Sequence, residues 1–203
     1  MSEPEPRPPA GDPYVATGTR VALRHLTYED AAEFTAAARR SQDHHRPWLF
    51  PPLTPDDYAG YARRLIEDPA RAGFLVCEGP AGRIAGYINI NNIVHGAFLS
   101  GAVGYGAFAH AAGRGLMGEG LRLLVEHAFA RSGLGLHRLE ANIQPGNTAS
   151  LGLVRSVGFR LEGYSPDFLY IDGAWRDHER WAITREMTTR DRTVGPAGSR
   201  RQR

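Results

Sequence analysis

Residues 103–121, VGYGAFAHAAGRGLMGEGL, constrain the fold of this chain more than any other stretch. They read as a strand, a short connection, and a turn with glycines at 113, 115 and 118 that runs into a helix. Leu121, Leu124, Val125 and Ala128 then recur at i, i+3, i+4 and i+7 as one apolar stripe, while Arg122, Glu126 and Arg131 face outward. The first N–H groups of a helix lack intrahelical partners and carry partial positive charge, and glycine lets a bulky anion reach the backbone. A strand delivering glycines to a helix start is therefore anion-binding geometry, and a pyrophosphate is the expected ligand.

Gly113, Gly115 and Gly118 also satisfy GxGxxG, and Glu140 follows at about the distance a dinucleotide fold wants. The context argues against that fold. Its glycines leave the first strand at once, whereas here Phe108 to Ala112 intervene and several helices and strands come first. Glu140 is followed by Ala-Asn-Ile-Gln, so it lies inside a strand and not at the end that meets a ribose. Too little chain then remains for a second mononucleotide half.

A chain of 203 residues with 42% apolar content suits one domain, here residues 14–187, with a flexible proline-rich arm at 1–13 and a solvated tail at 188–203. The net charge of +2 and the lack of a basic face with interleaved aromatics argue against nucleic acid as a direct ligand. One cysteine, Cys77, excludes an internal disulfide framework and reads as a small core residue of a strand. No run is long enough to span a bilayer and the first residues lack an apolar region, so a cytoplasmic location and no membrane partner are expected. The eight histidines show no metal-ligand spacing with carboxylates, so no metal is expected.

Taken in order, 20–26 reads as a strand, and Thr27 to Asp30 as the capped, acidic start of a helix reaching Arg40. Residues 43–52, rich in proline, read as a loop. Thr54 opens a second helix with Pro55 in its first turn, ending near Pro69. Strands are expected at 73–78, 84–93, 97–108 and 137–143. Asn147 caps a helix closed by Gly158, and 160–170 with 176–185 form a hairpin around Asp172-Gly173.

The segment AGRGLM at 112–117 resembles the acyl-CoA loop of the GCN5-related N-acetyltransferases (GNAT), which begins with Gln or Arg, two further residues, Gly, one residue, then Gly or Ala. Ala112 and Met117 depart from that pattern. QPGNTASLGLVRSVGFRLEG at 144–163 resembles the second half of the same family. Asn91-Asn-Ile-Val-His-Gly-Ala-Phe98, Gly104-Tyr105, His137-Arg138 and Ile171-Asp-Gly-Ala-Trp-Arg-Asp-His178 resemble its ribosomal-protein-alanine subgroup, the RimJ/RimL type. The resemblance spans roughly residues 20–187 and implies an α/β (α+β) acyl-CoA N-acyltransferase fold. That fold is a mixed, mostly antiparallel sheet of six to seven strands, splayed at its centre and flanked by about four helices.

The activity implied is transfer of an acetyl group from acetyl-CoA to a primary amine by direct attack, with CoA leaving and no metal. The implied acceptor is a protein α-amine, a ribosomal protein included. A small amine such as an antibiotic, polyamine or amino acid is the alternative within the class, and a non-catalytic acyl-CoA sensor or ribosome-assembly factor the alternative outside it. A monomer and a homodimer are both compatible. By resemblance, the coenzyme would meet Tyr105, Gly106, Ala107, Gly113, Arg114, Gly115, Leu116, Met117, Gly118, Asn142, Asn147 and Ser150. Pantetheine would pair with strand backbone freed by the splay, and an N–H near Ala107 would meet the thioester oxygen as it gains charge. Ser150 would protonate or solvate the leaving thiolate. His44, His45, Trp48, Asn91 and Trp175 would face the acceptor. An α-amine, with a pKa near 8 against about 10.4 for lysine, needs only a weak base or a water chain; Asp167, Glu140, His178 and Asp177 are the candidates, and Ser150 and Asp167 are the residues named as catalytic.

Overall fold

The computed structural model describes residues 13–79 and 82–188. The expected arm, except Pro13, and the expected tail, except Thr188, lie outside them. The element order is β1 (Tyr14–Thr17), β2 (Val21–His25), α1 (Ala31–Arg40), α2 (Gln42–His45), α3 (Pro55–Ile66), β3 (Ala72–Glu78), β4 (Ile84–Val94) and β5 (Ser100–Ala107). Then follow α4 (Leu116–Phe129), β6 (Arg138–Ile143), α5 (Thr148–Val157), β7 (Arg160–Ile171) and β8 (Ala174–Thr184). The strands form one sheet in the order β1-β2-β3-β4-β5-β6-β8-β7. Each neighbouring pair is antiparallel except β5 and β6.

Among the described residues the sheet thus has eight strands where six to seven were expected. The added one, β1, is only four residues long, too short to display an alternation, and it is held by pairing with β2 across the turn at Gly18. A second difference is α2, a single turn inside the segment read as loop; its prolines lie beyond His45 and leave that turn free to form.

The two faces of the sheet are covered differently. Helix α4 buries the stripe Leu121, Leu124, Val125 and Ala128, all at most 3% exposed, against Val21, Leu23, Val76 and Ile88. Each such side chain contributes about 1.5–3 kcal/mol when fully buried. The opposite face packs Phe34, Tyr58 and Leu65 of α1 and α3 on Leu75, Cys77 and Tyr87. Those two helices cover only the β2–β4 side, and so leave the face of β5, β6 and β8 open.

Pairing of β5 with β6 runs from Ser100↔Arg138 to Val103↔Ala141 and stops. Beyond it the strands diverge, the expected central splay. Phe108 donates its N–H to the Ala85 carbonyl. By the alternation of an antiparallel ladder, the N–H and C=O groups of Tyr105 and Ala107 therefore point away from β4, into the gap.

Candidate active site

A cleft of about 750 Å³ opens at this divergence. Its floor is the end of β5 and of β6; one rim is the glycine turn and the start of α4, another is α5, and residues of α2 and of the β7–β8 hairpin close the sides. Gly113 (φ 71°) and Gly115 (φ 74°) hold left-handed conformations that disfavour residues with a Cβ. Gly115 caps α4, so the first-turn N–H groups of Leu116, Met117 and Gly118 have no carbonyl one turn back. Of the residues expected at the coenzyme, Tyr105, Gly106, Ala107, Gly113, Gly115, Met117, Gly118, Asn142, Asn147 and Ser150 all line this cleft.

Arg114 and Leu116 do not. The Arg114 guanidinium makes two 2.9 Å bonds to the Glu78 carboxylate, which it holds below its ordinary pKa, and Leu116 is buried in the core. Met117 is buried too, and its sulfur fills the notch above Gly86, where an added Cβ would come within 2.5 Å of it. A methionine can stand here because a glycine faces it.

At the far end of the gap the Tyr105 hydroxyl lies 2.6 Å from Ser150 Oγ. Burial pushes the phenol up to about 12 against the opposing pull of that bond, so it stays protonated. Asn147 Oδ1 accepts the Ser150 N–H at 3.1 Å, capping α5 and fixing where Ser150 starts. Asn142 Oδ1 is buried and has no hydrogen-bond partner among the described residues.

On the side expected to face the acceptor, His45 donates its Nε2–H to the Ala107 carbonyl at 2.7 Å. Burial lowers its pKa, and its Nδ1 is likewise buried without a partner among the described residues. His44 and Trp48 complete this wall, and the Trp48 ring sits so close to Gly146 that an added Cβ would meet it at 3.0 Å. Two expected acceptor residues lie elsewhere. Asn91 accepts from Arg71 at 3.1 Å, and Trp175, exposed on the hairpin, rests its ring 5.7 Å from that of Tyr170.

The four candidate bases separate clearly. Glu140 is ion-paired to both Arg138 and Arg180, and Asp177 accepts the Tyr164 hydroxyl and the Asp167 N–H. Asp167 is exposed on a bulge of β7 at φ 46° and does not line the cleft, so it is not brought together with Ser150. His178 does line it, is 2% exposed, and donates Nδ1–H to the Arg176 carbonyl at 2.9 Å, which leaves Nε2 as the acceptor nitrogen. Sequence reasoning missed the apolar wall of Leu49, Leu169 and Ile171; the two-residue spacing of the last pair was the available signal. Among the described residues no cluster of His, Cys, Asp and Glu is arranged to hold a metal ion.

Comparison with known proteins agrees with this geometry. The chain is 30% identical over 175 residues to a probable N-acetyltransferase, YjcK, of Bacillus subtilis, covering 82% of this chain and 94% of that one. It is 38% identical over 112 residues to the [Ribosomal protein uS5]-alanine N-acetyltransferase of Escherichia coli, a match spanning 55% of each. The solved structure of Mycobacterium smegmatis RimJ in complex with CoA-disulfide superposes with a TM-score of 0.75 at 31% identity over 82% of each chain. With the acetyltransferase (GNAT) domain matching residues 20–160, the chain belongs to the GNAT family of N-acetyltransferases.

Proposed function

We propose that this acetyl-CoA-dependent N-acetyltransferase acetylates the N-terminal α-amine of a protein, a ribosomal protein being the leading acceptor, by direct attack within a ternary complex. The observation that carries this reading is the charge of the cleft. Among the described residues, its lining holds no Asp, Glu, Lys or Arg. A polyamine would call for carboxylates facing its second ammonium, and a free amino acid for a cation facing its carboxylate. A peptide N-terminus carries a neutral amide beside its amine and needs neither. The Escherichia coli relative, named for an alanine of uS5, supports the same acceptor.

The residues divide the work as follows. N–H groups at the glycine turn and the first turn of α4 meet the coenzyme's diphosphate. The N–H groups of Tyr105 and Ala107, freed by the splay, receive the pantetheine arm and the thioester oxygen as it gains negative charge. The amine nitrogen bonds to the acyl carbon, His178 Nε2 takes the proton it sheds, and the carbon–sulfur bond breaks. The Ser150 hydroxyl, which Tyr105 backs, donates a hydrogen bond to the departing thiolate. The proton shed by the amine passes from His178 through solvent to that thiolate, so that neutral thiol leaves and both residues return to their starting state. Holding the two substrates together supplies much of the rate.

Thiol release from acetyl-CoA, measured with a peptide beginning in alanine, its N-blocked counterpart, spermidine and methionine, tests the reading. Release with the free peptide alone is expected, and Gly115→Glu should abolish it. Turnover with spermidine or methionine and none with the peptide would overturn the acceptor assignment.

A further inference from the structure

The turn offered to the diphosphate is poor in side-chain donors. Ala112 supplies none, and the guanidinium of Arg114, the cation within the turn, is committed to Glu78. Anion affinity then depends on main-chain N–H groups and on how firmly they are aimed.

A residue far away in sequence controls that aim. Arg20 stands just after the β1–β2 turn, and its Nη1 donates to the Arg114 carbonyl at 2.9 Å and its Nη2 to the Gly115 carbonyl at 3.4 Å. Glu119, in the first turn of α4, accepts the Arg20 backbone N–H at 2.8 Å and its Nε–H at 3.1 Å. Gly18 makes room for this carboxylate, because a Cβ there would lie 2.5 Å from Glu119 Oε1. In a trans peptide the carbonyl and the following N–H lie in one plane and point in opposite directions. Gripping the carbonyls of 114 and 115 from the hairpin side therefore turns the N–H groups of Gly115 and Leu116 the other way. A carbonyl bonded to a cation also polarises its peptide unit and makes that N–H a better donor.

We propose that Arg20, braced by Glu119, is a positioning residue for the diphosphate of the acyl donor: it clamps the glycine turn from behind and so presents the N–H groups that the ligand meets. This rests on the reading that the turn binds the diphosphate. The competing account is a surface ion pair that merely ties the N-terminal hairpin to α4, and such pairs contribute little.

Two acyl donors separate the accounts, because S-acetyl-pantetheine carries the same thioester arm as acetyl-CoA and no diphosphate. For Arg20→Gln, KM for acetyl-CoA is expected to rise roughly tenfold, the effect of losing hydrogen bonds to a charged group. Its kcat at saturation and its KM for S-acetyl-pantetheine should stay at the wild-type values. Arg20→Lys, which keeps the charge but cannot span both carbonyls, should fall between. Glu119→Gln, which leaves the guanidinium in place, should shift the same KM in the same direction by less, and provides a second route should Arg20→Gln not fold. An equal rise for both donors, or no rise for acetyl-CoA in either variant, would overturn the proposal. Wild-type enzyme that uses both donors with equal KM would instead overturn the diphosphate reading beneath it.

Discussion

Ser150 and Tyr105 meet although they come from α5 and β5, with their hydroxyl oxygens 2.6 Å apart. Asn147 caps the helix start that carries Ser150, so the cap also sets where the proposed catalytic hydroxyl lies. His178, anchored on the Arg176 carbonyl, lines the same cleft and is the proposed acceptor of the amine proton. We expect Ser150→Ala and His178→Gln each to lower kcat by about 10²-fold or more, with KM for acetyl-CoA little changed. Imidazole added to His178→Ala should restore part of the rate, an effect that loss of packing would not show. Steady-state kinetics at saturating acetyl-CoA would decide it, and a full-rate His178→Gln enzyme would return the base to Glu140 or to water. Residue types at these positions were readable in the sequence. Which of the four bases reaches the cleft was not, because that follows from the bulge that carries Asp167 away and from the arginines that occupy Glu140.

At the level of elements, α4 shows how tertiary contact can reverse a local rule. Glycine inside a helix costs about 1 kcal/mol relative to alanine, so Gly118 and Gly120 both look improvable from the sequence. Gly120, however, lies where α4 presses on the sheet, and an added Cβ would come within 2.6 Å of Val76. At Gly118 the nearest atom, on Leu153, is 3.5 Å away. Gly120→Ala is therefore expected to destabilise the protein by about 1–3 kcal/mol through overpacking, whereas Gly118→Ala should be neutral or stabilising to the fold. Urea unfolding of the two variants would check the difference in sign, and a stabilised Gly120→Ala would show that α4 can shift away from β3. The apolar stripe of α4, the Asn147 cap and the Asp172-Gly173 hairpin were legible because each is set within a few residues. The strand β1 was not, since its stability comes from its neighbour.

In the molecule as a whole the sheet has a part, β2–β4, covered on both faces and a part, β6, β8 and β7, whose outer face carries charge. There Arg138 bonds Glu140 and Glu162, Arg160 bonds Glu162, and Arg180 bonds Glu140. Arg138 first, and then Arg160, hold the Glu162 carboxyl down at about 2. A carboxylate depressed in the folded state stabilises the fold fully above its unfolded value, about 4.3, and loses that contribution as the pH falls through its folded value. Between pH 5 and 2 the wild-type urea midpoint should thus fall more steeply than that of Glu162→Gln; parallel curves would exclude the lattice as a source of acid lability.

The sequence by itself determined most of the elements and the glycine turn before α4, since periodicity, caps and left-handed glycines act over a few residues. Only the tertiary structure decided which groups reach the cleft and its walls: His45 meets the carbonyl of Ala107, 62 residues on, and Arg20, from behind, those of a turn more than 90 residues on. Such meetings depend on where two strands stop pairing and how closely a helix lies on the sheet, quantities set by the packing of the whole core.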